Sequence, residues 1–213
     1  MNKINEDITI VTVLYDSSEL INDLLKNLIN FKVIIVDNGN NEQILKNLSE
    51  FKNIKVVSQK KNLGYGKAIN FAFKDVKSKY FFVLNPDLVI SEKSIYSLYN
   101  LITKNPNAGI VAPITEPDED FYGLFPEKNT KKITGPNEIR CKSLLKNAKI
   151  DGEICVEVAK GCALLLNSEH FEKVGKFDER YFLFWEEIDL CRRFRSEKHS
   201  VIISPSSLAI HKQ

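Results

Sequence analysis

The chain is short of several residue types, and each shortage narrows what it can be. Among 213 residues there are three His, four Cys, one Trp and one Met. Cys141, Cys155, Cys162 and Cys191 show no C-x-x-C spacing and no nearby histidine partner, which argues against a structural zinc site. No apolar run approaches the roughly 18 to 20 residues needed to span a bilayer. The start MNKINEDITIVTV also lacks a signal peptide's long apolar stretch. Reduced thiols and a cytoplasmic setting are therefore the expectation. An excess of one charge is missing too: 30 basic against 28 acidic residues leave +2, giving no electrostatic case for nucleic acid as a partner. Most of the basic residues are Lys spread evenly along the chain, as on a solvated surface. Apolar side chain is plentiful at 43%, enough for a substantial core, which excludes disorder over most of the length.

Two periodicities alternate along the first hundred residues. ITIVTVLY (8–15) reads as a buried strand, and SSELINDLLKNLIN then sets Leu20, Ile21, Leu24, Leu25 and Leu28 on one helical face. KVIIVDNG (32–39) is a second strand, followed by a helix near 41–51 and a third strand over 54–58. GKAINFAFKDV places Ala68, Ile69, Ala72, Phe73 and Val76 on a helix face, and YFFVLNPDLVI holds a fourth strand that breaks at Asn85 and Pro86. This order predicts an α/β domain with a mostly parallel sheet flanked by helices. A helix at 92–104 and a strand at GIVAPI follow. Residues 115–153 are charged and aperiodic and read as a surface insertion or loop. CVEVAKGCALLLN (155–167) reads as a strand pair or a strand bent at Gly161. Helices near 168–174 and 186–198 and a short last strand in SVIISP complete the pattern. His170 and His199 read as surface residues.

In an open α/β sheet, ligands bind beyond the carboxyl ends of the strands. Tyr15-Asp16, Asp37-Asn38 and Asn85-Pro86-Asp87 each follow an apolar strand directly, so all three can face one crevice. One such group is an ordinary turn or helix cap, whereas three in succession favour a site. No G-x-G-x-x-G follows the first strand and no G-x-x-x-x-G-K-[ST] occurs, which weakens dinucleotide-binding and P-loop readings. NLGYGKAIN (62–70) stands between the third strand and its helix instead, where Gly64 and Gly66 let backbone come close to a ligand.

Taken together, VTVLYDSSEL, VDNGN, NLGYGKAIN, LNPDLVI, GCALLL, VGKFDERYFLFWEEIDLCRR and the closing AIH resemble, in order, the motifs of family 2 glycosyltransferases. The likeness is greatest to the rhamnosyltransferase-like branch that builds bacterial surface polysaccharides. It covers about 7–114 and 155–211. It implies the GT-A fold, a Rossmann-like single domain: a nucleotide-binding half at 1–114, a variable segment at 115–153, and an acceptor and catalytic half at 155–213 that is short at its carboxyl end relative to many members.

The resemblance also implies roles. Asp37, with Asn38 beside it, would bind the nucleotide base, and a carboxylate can accept from a uracil or thymine ring N–H. Tyr15 would lie near the base. Asn62, Gly64, Gly66, Asn70, Asn85 and Gly161 would contact the nucleotide sugar. Asp87 and His211 would hold a divalent cation, Mn or Mg, on the donor's diphosphate. An amide at Asn85 in place of a second carboxylate implies weaker cation binding without substrate. Glu187 would be the general base for the acceptor hydroxyl, with Glu186 the alternative; Glu there, where the family more often has Asp, is one methylene longer. Cys162 reads as a buried small residue, and Arg192 and Arg193 as helix-surface cations. The implied partners are a nucleotide-sugar donor, a dTDP- or UDP-sugar, and a saccharide or lipid-linked acceptor met at the inner membrane face. Two other readings stay open. A sugar nucleotidyltransferase would carry a basic Gly-rich loop where this chain has YDSSEL, and a non-catalytic scaffold would act through a partner.

Overall fold

The computed structural model describes residues 3–16, 20–26, 28–39, 48, 51–116, 120–124, 138–140 and 153–212, with backbone alone at 22–24, 120–124 and 138–140. The helix expected near 41–51 lies almost wholly outside these residues. Four strands, β1 (Ile8–Leu14), β2 (Lys32–Asp37), β3 (Ile54–Ser58) and β4 (Tyr80–Leu84), run parallel in the order β3-β2-β1-β4. Every residue of β1 and β4 is buried, as expected of strands covered on both faces.

Strand side chains alternate between faces, and this divides one apolar run into two cores. Ile8, Ile10, Val33, Ile35, Phe82 and Leu84 point to one side. There they meet Ile21, Leu25 and Leu28 around α2 (Ile21–Lys26), and Ile95, Leu98 and Ile102 of a helix over Glu92–Lys104. Val11, Val13, Ile34, Val36, Phe81 and Val83 point to the other. They pack on α3 (Tyr65–Phe73) through Ala68, Ile69, Ala72 and Phe73. A short helix α1 (Lys3–Asp7) precedes β1, and α4 is the Glu92–Lys104 helix, capped by Ser91, whose hydroxyl accepts from Ser94 N–H at 3.1 Å.

The remaining strands make the sheet mixed. They are β5 (Leu88–Ile90), β6 (Ala108–Glu116), β7 (Asp120–Leu124), β8 (Glu138–Arg140), β9 (Ile154–Val158), β10 (Ala163–Asn167) and β11 (Ser200–His211). β10 enters antiparallel between β4 and β6, and β11 lies parallel to β6. The 155–167 stretch does fold as two strands, but they do not pair with each other: β9 lies against β11 and β7. Within 115–153 the described residues include β7 and β8, so the segment is not wholly loop. α5 (Ser168–Lys173) and α6 (Glu186–Ser196) cover the second core through Phe171, Leu190, Cys191 and Phe194.

The last strand is longer than SVIISP suggested. It pairs with β6 through Ser204, shifts register before Leu208, and then pairs with both β6 and β5. The residues between are tied to α4, where Ser207 Oγ donates to the Ser94 carbonyl at 3.2 Å and Leu208 N–H donates to Ser94 Oγ at 3.3 Å. This irregularity carries the strand to His211, opposite Leu88.

Candidate active site

The sheet order reverses at β1, with β2 on one side and β4 on the other, which opens a crevice at the carboxyl ends of these strands. Two adjoining cavities occupy it. One, of about 300 Å³, is lined by Tyr15, Asn38, Asn62, Gly64, Asn85 and Asp87 among others. The second, of about 280 Å³, is lined by Gly161, Cys162, Glu186, Glu187 and His211. Tyr65, Asn85 and Leu183 line both.

The floor is a hydrogen-bond lattice between the end of β2 and the 62–66 loop. Asn38, only 2% exposed, donates through Nδ2 to Asn62 Oδ1 at 2.7 Å and accepts at Oδ1 from Leu63 N–H at 2.9 Å. Asn62 Oδ1 also accepts from Gly64 N–H at 2.8 Å. Asp37 is 1% exposed, accepting from Gly39 N–H and Ser58 Oγ, both at 3.2 Å. Tyr15 lies open at the rim. Asp16, next to it, has φ 52°, a left-handed conformation that Asn and Asp tolerate best.

Gly64 has φ 79°, and a Cβ there would collide with the Phe182 carbonyl oxygen. The approach is fixed by Tyr65 N–H, which donates to that oxygen at 2.9 Å. Three expected donor contacts sit elsewhere. Asp37, buried at the end of β2, lines neither of the two cavities. Asn70 commits both ends of its amide to the loop after α5: Nδ2 donates to Phe177 O at 2.8 Å and Oδ1 accepts from Phe177 N–H at 3.0 Å. Gly66 faces Phe177 too, where a Cβ would approach the phenylalanine Cβ to 2.9 Å. Both therefore lock α3 to the segment leading into Glu186, and neither lines the two cavities.

Asp87 and His211 meet: Oδ2 and Nε2 are 2.9 Å apart, and Lys212 N–H donates to the Asp87 carbonyl at 2.8 Å. Asp87 Oδ1 is buried without a hydrogen-bond partner among the described residues. A carboxylate oxygen left in that state fits a hard cation, so the residues present suit a divalent ion. Among the described residues no three His, Cys, Asp or Glu side chains cluster, so such an ion would draw its other ligands from a bound diphosphate or water.

Across the second cavity Glu186 and Glu187 open α6. Glu186 is 4% exposed with Oε2 unpartnered among the described residues, and burial raises its carboxyl above the ordinary range, as does the Glu187 charge. Burial raises Glu187 in the same direction. Gly161 backs Glu187 closely: a Cβ there would stand 3.3 Å from Glu187 Cβ. Before the helix, Phe184 and Trp185 have φ of 67° and 72°, costly for bulky side chains, and are 70% and 58% exposed. Arg193 is committed to Asp189 at 2.8 Å and to the Val174 carbonyl at 2.5 Å, while Arg192 is exposed. His170 and His199 are not plain surface residues, since their rings stack at 3.8 Å away from these cavities. Tyr65 and Leu183 are cavity walls that sequence reasoning missed, signalled only by their position in or beside the motifs.

Comparisons with known proteins bear on the family and the fold. Residues 9–174 match the model described as glycosyl transferase family 2, a span that ends before Glu186, Glu187 and His211. The chain is 26% identical over 213 residues to the low-salt glycan biosynthesis hexosyltransferase Agl10 of Haloferax volcanii, covering 98% of this chain and 68% of the relative. It is 25% identical over 201 residues to the N-acetylglucosaminyl-diphospho-decaprenol L-rhamnosyltransferase of Mycobacterium tuberculosis, covering 84% of this chain and 66% of the relative. It thus spans about two thirds of the length of these curated relatives. The structure of GalNAc-T7 with UDP, GalNAc and Mn2+ superposes with a TM-score of 0.74 at 14% identity, over 96% of this chain and 43% of that one, a likeness of fold. With the family model matched over most of its length and the GT-A architecture in place, the chain belongs to glycosyl transferase family 2.

Proposed function

We propose that this chain transfers a hexosyl or rhamnosyl group, with inversion, from a dTDP- or UDP-sugar to a hydroxyl of a saccharide or lipid-linked acceptor during assembly of a bacterial surface glycan. The observation that carries the reading is the pairing of two adjoining cavities, one walled by Asp87 and the other by Glu187, with Asn85 and Tyr65 shared between them. A donor and an acceptor need that division, with a carboxylate on each side.

Tyr15 lies against the base, with Asp37 outside the cavity lining at the end of β2 as the carboxylate that would receive its ring N–H, and Asn62, Gly64 and Asn85 border the sugar and diphosphate. Asp87 and His211 hold a divalent cation, Mn or Mg. The cation, when bound, offsets negative charge on the departing diphosphate. Glu187 accepts the proton of the acceptor hydroxyl, and that oxygen forms a bond to the anomeric carbon. The bond from carbon to the phosphate oxygen breaks, and its electron pair leaves with the nucleoside diphosphate. Its raised pKa brings Glu187 closer to the working pH, which suits a general base. The Glu187 charge in turn disfavours ionisation of Glu186 beside it.

The exposed Phe182, Leu183 and Phe184 form an apolar lip on the two cavities, continued by exposed Trp185 at the start of α6, suited to an acceptor that carries a lipid. The proposed contact with the inner membrane face is a peripheral one made through this lip. No helix among the described residues is long and apolar enough to cross a membrane. Binding and hydrolysis of UDP-, dTDP- and GDP-sugars, with and without Mn, test the reading on wild type and Asp87→Ala. Cation-dependent binding of one donor class that is lost in the variant is the expected result. A folded wild-type protein that binds none of them overturns it in favour of a scaffold acting through a partner.

A further inference from the structure

The phenol of Tyr65 stands between two parts of the site that the sequence separates widely. Its Oη is 2.7 Å from Asn85 Oδ1 and 2.9 Å from the Gly161 carbonyl oxygen. A phenol carries one proton and can satisfy only one of two acceptors; the other contact would then set lone pair against lone pair. The Gly161 carbonyl is part of the backbone and has only oxygen to offer. The Asn85 amide can exchange its two ends by a half turn of its terminal torsion, and the surrounding hydrogen bonds decide between them. With Nδ2 on the phenol every group is satisfied: Asn85 N–H donates to Tyr65 Oη, and Tyr65 O–H donates to Gly161 O. Burial, and then nearby Cys162, Glu186, Glu187 and Asp87, hold the Tyr65 pKa well above its ordinary value, so the proton stays in place.

We propose that Tyr65 is a positioning residue whose hydroxyl fixes the Asn85 amide with Nδ2 on the phenol, leaving its carbonyl oxygen for the donor crevice, and ties that amide to the Gly161 backbone behind Glu187. The direction matters for what the crevice accepts. A carbonyl oxygen at Asn85 receives a sugar hydroxyl or a hard cation, whereas an NH2 group would favour a phosphate oxygen and repel a cation. The backbone reinforces the link, because Asn85 N–H donates to the Cys162 carbonyl at 2.8 Å, one residue beyond Gly161. One side chain therefore couples the donor wall to the support of the base. The consequence for donor selection rests on the transferase reading, but the hydrogen-bond chain does not.

Tyr65→Phe keeps the ring, and with it the edge contact to Phe177 at 6.5 Å, while removing the hydroxyl. In a 15N–1H correlation spectrum, the Asn85 side-chain NH2 pair is identified by its disappearance in Asn85→Asp. In Tyr65→Phe one proton of that pair should move upfield and exchange faster with water. The donor KM should rise about tenfold, the worth of one ordinary hydrogen bond, with kcat changed less and Tm close to wild type. An Asn85 pair unchanged by Tyr65→Phe overturns the proposal, as does a loss of activity that only follows a loss of Tm. Absence of donor binding by the wild type would overturn the transferase reading and still leave the amide measurement decisive for Tyr65.

Discussion

Asp87 and His211, 124 positions apart, are joined side chain to side chain at 2.9 Å because β11 changes register against β6 and then pairs with β5. Asp87 keeps its second carboxylate oxygen buried and unpartnered among the described residues, an arrangement that is costly unless something positive arrives. In the proposed reading this pair holds a cation that arrives with the donor.

Removing either side chain should weaken cation-dependent donor binding by at least about tenfold. Calorimetric titration of the nucleotide sugar at fixed Mn, on Asp87→Ala and His211→Ala, makes the measurement. Equal donor affinity with and without Mn in the wild type would count against a cation at this pair.

Glu187→Gln should lower kcat by roughly 100- to 10,000-fold and leave donor binding intact. The wild-type rate should rise with pH through an inflection above the ordinary glutamate value, since burial favours the protonated form and the base must be ionised. A profile already flat at pH 4.5 would reject Glu187 as the base.

The same burial has a stability cost of known sign. Glu186 binds its proton more readily in the native state than in the unfolded one, so its ionisation as pH rises opposes folding. Glu186→Gln, which is uncharged at every pH, should therefore raise Tm at pH 8 and raise it less at pH 4. Thermal scans at the two values check this, and a variant less stable than wild type at pH 8 would contradict it.

Substituting Gly64 by Ala meets both a left-handed backbone and the Phe182 carbonyl. A loss of ~2 kcal/mol is expected from such strain. The 177–185 segment should also become more open to proteolysis, which limited digestion would show. Resistance equal to wild type would mean that the loop is held by other contacts.

His170 and His199 offer a pH test unconnected with the chemistry. Burial, and then His199, hold His170 below its ordinary value of 6.5, with nearby Glu169 opposing and Lys173 adding to the effect. The unfolded chain takes a proton more easily, so stability is complete above about pH 6.5 and declines as pH falls through the depressed native value. His170→Phe preserves an aromatic partner for His199 and should lose less Tm than wild type between pH 7.5 and 5.5. Matching losses would place the acid sensitivity elsewhere.

Much of the architecture was legible from period alone. β1, β2 and β4 read as continuous apolar runs because both their faces are covered, and the 92–104 helix announced itself by its single stripe. The ends of these strands pointed to Tyr15, Asn38, Asn85 and Asp87, which line the first cavity, and equally to Asp37, which does not. Period could not reveal that SVIISP continues to His211, since Pro205 and three serines interrupt the alternation while hydrogen bonds to Ser94 carry the chain across. Nor could it show that Asn70 turns to Phe177 or that Tyr65 reaches both Asn85 and Gly161. Burial pattern is a local property, written every two or three and a half residues. The partner of a polar side chain is set by strand register and by where distant segments cross, and those distances exist only once the two cores have closed around the sheet.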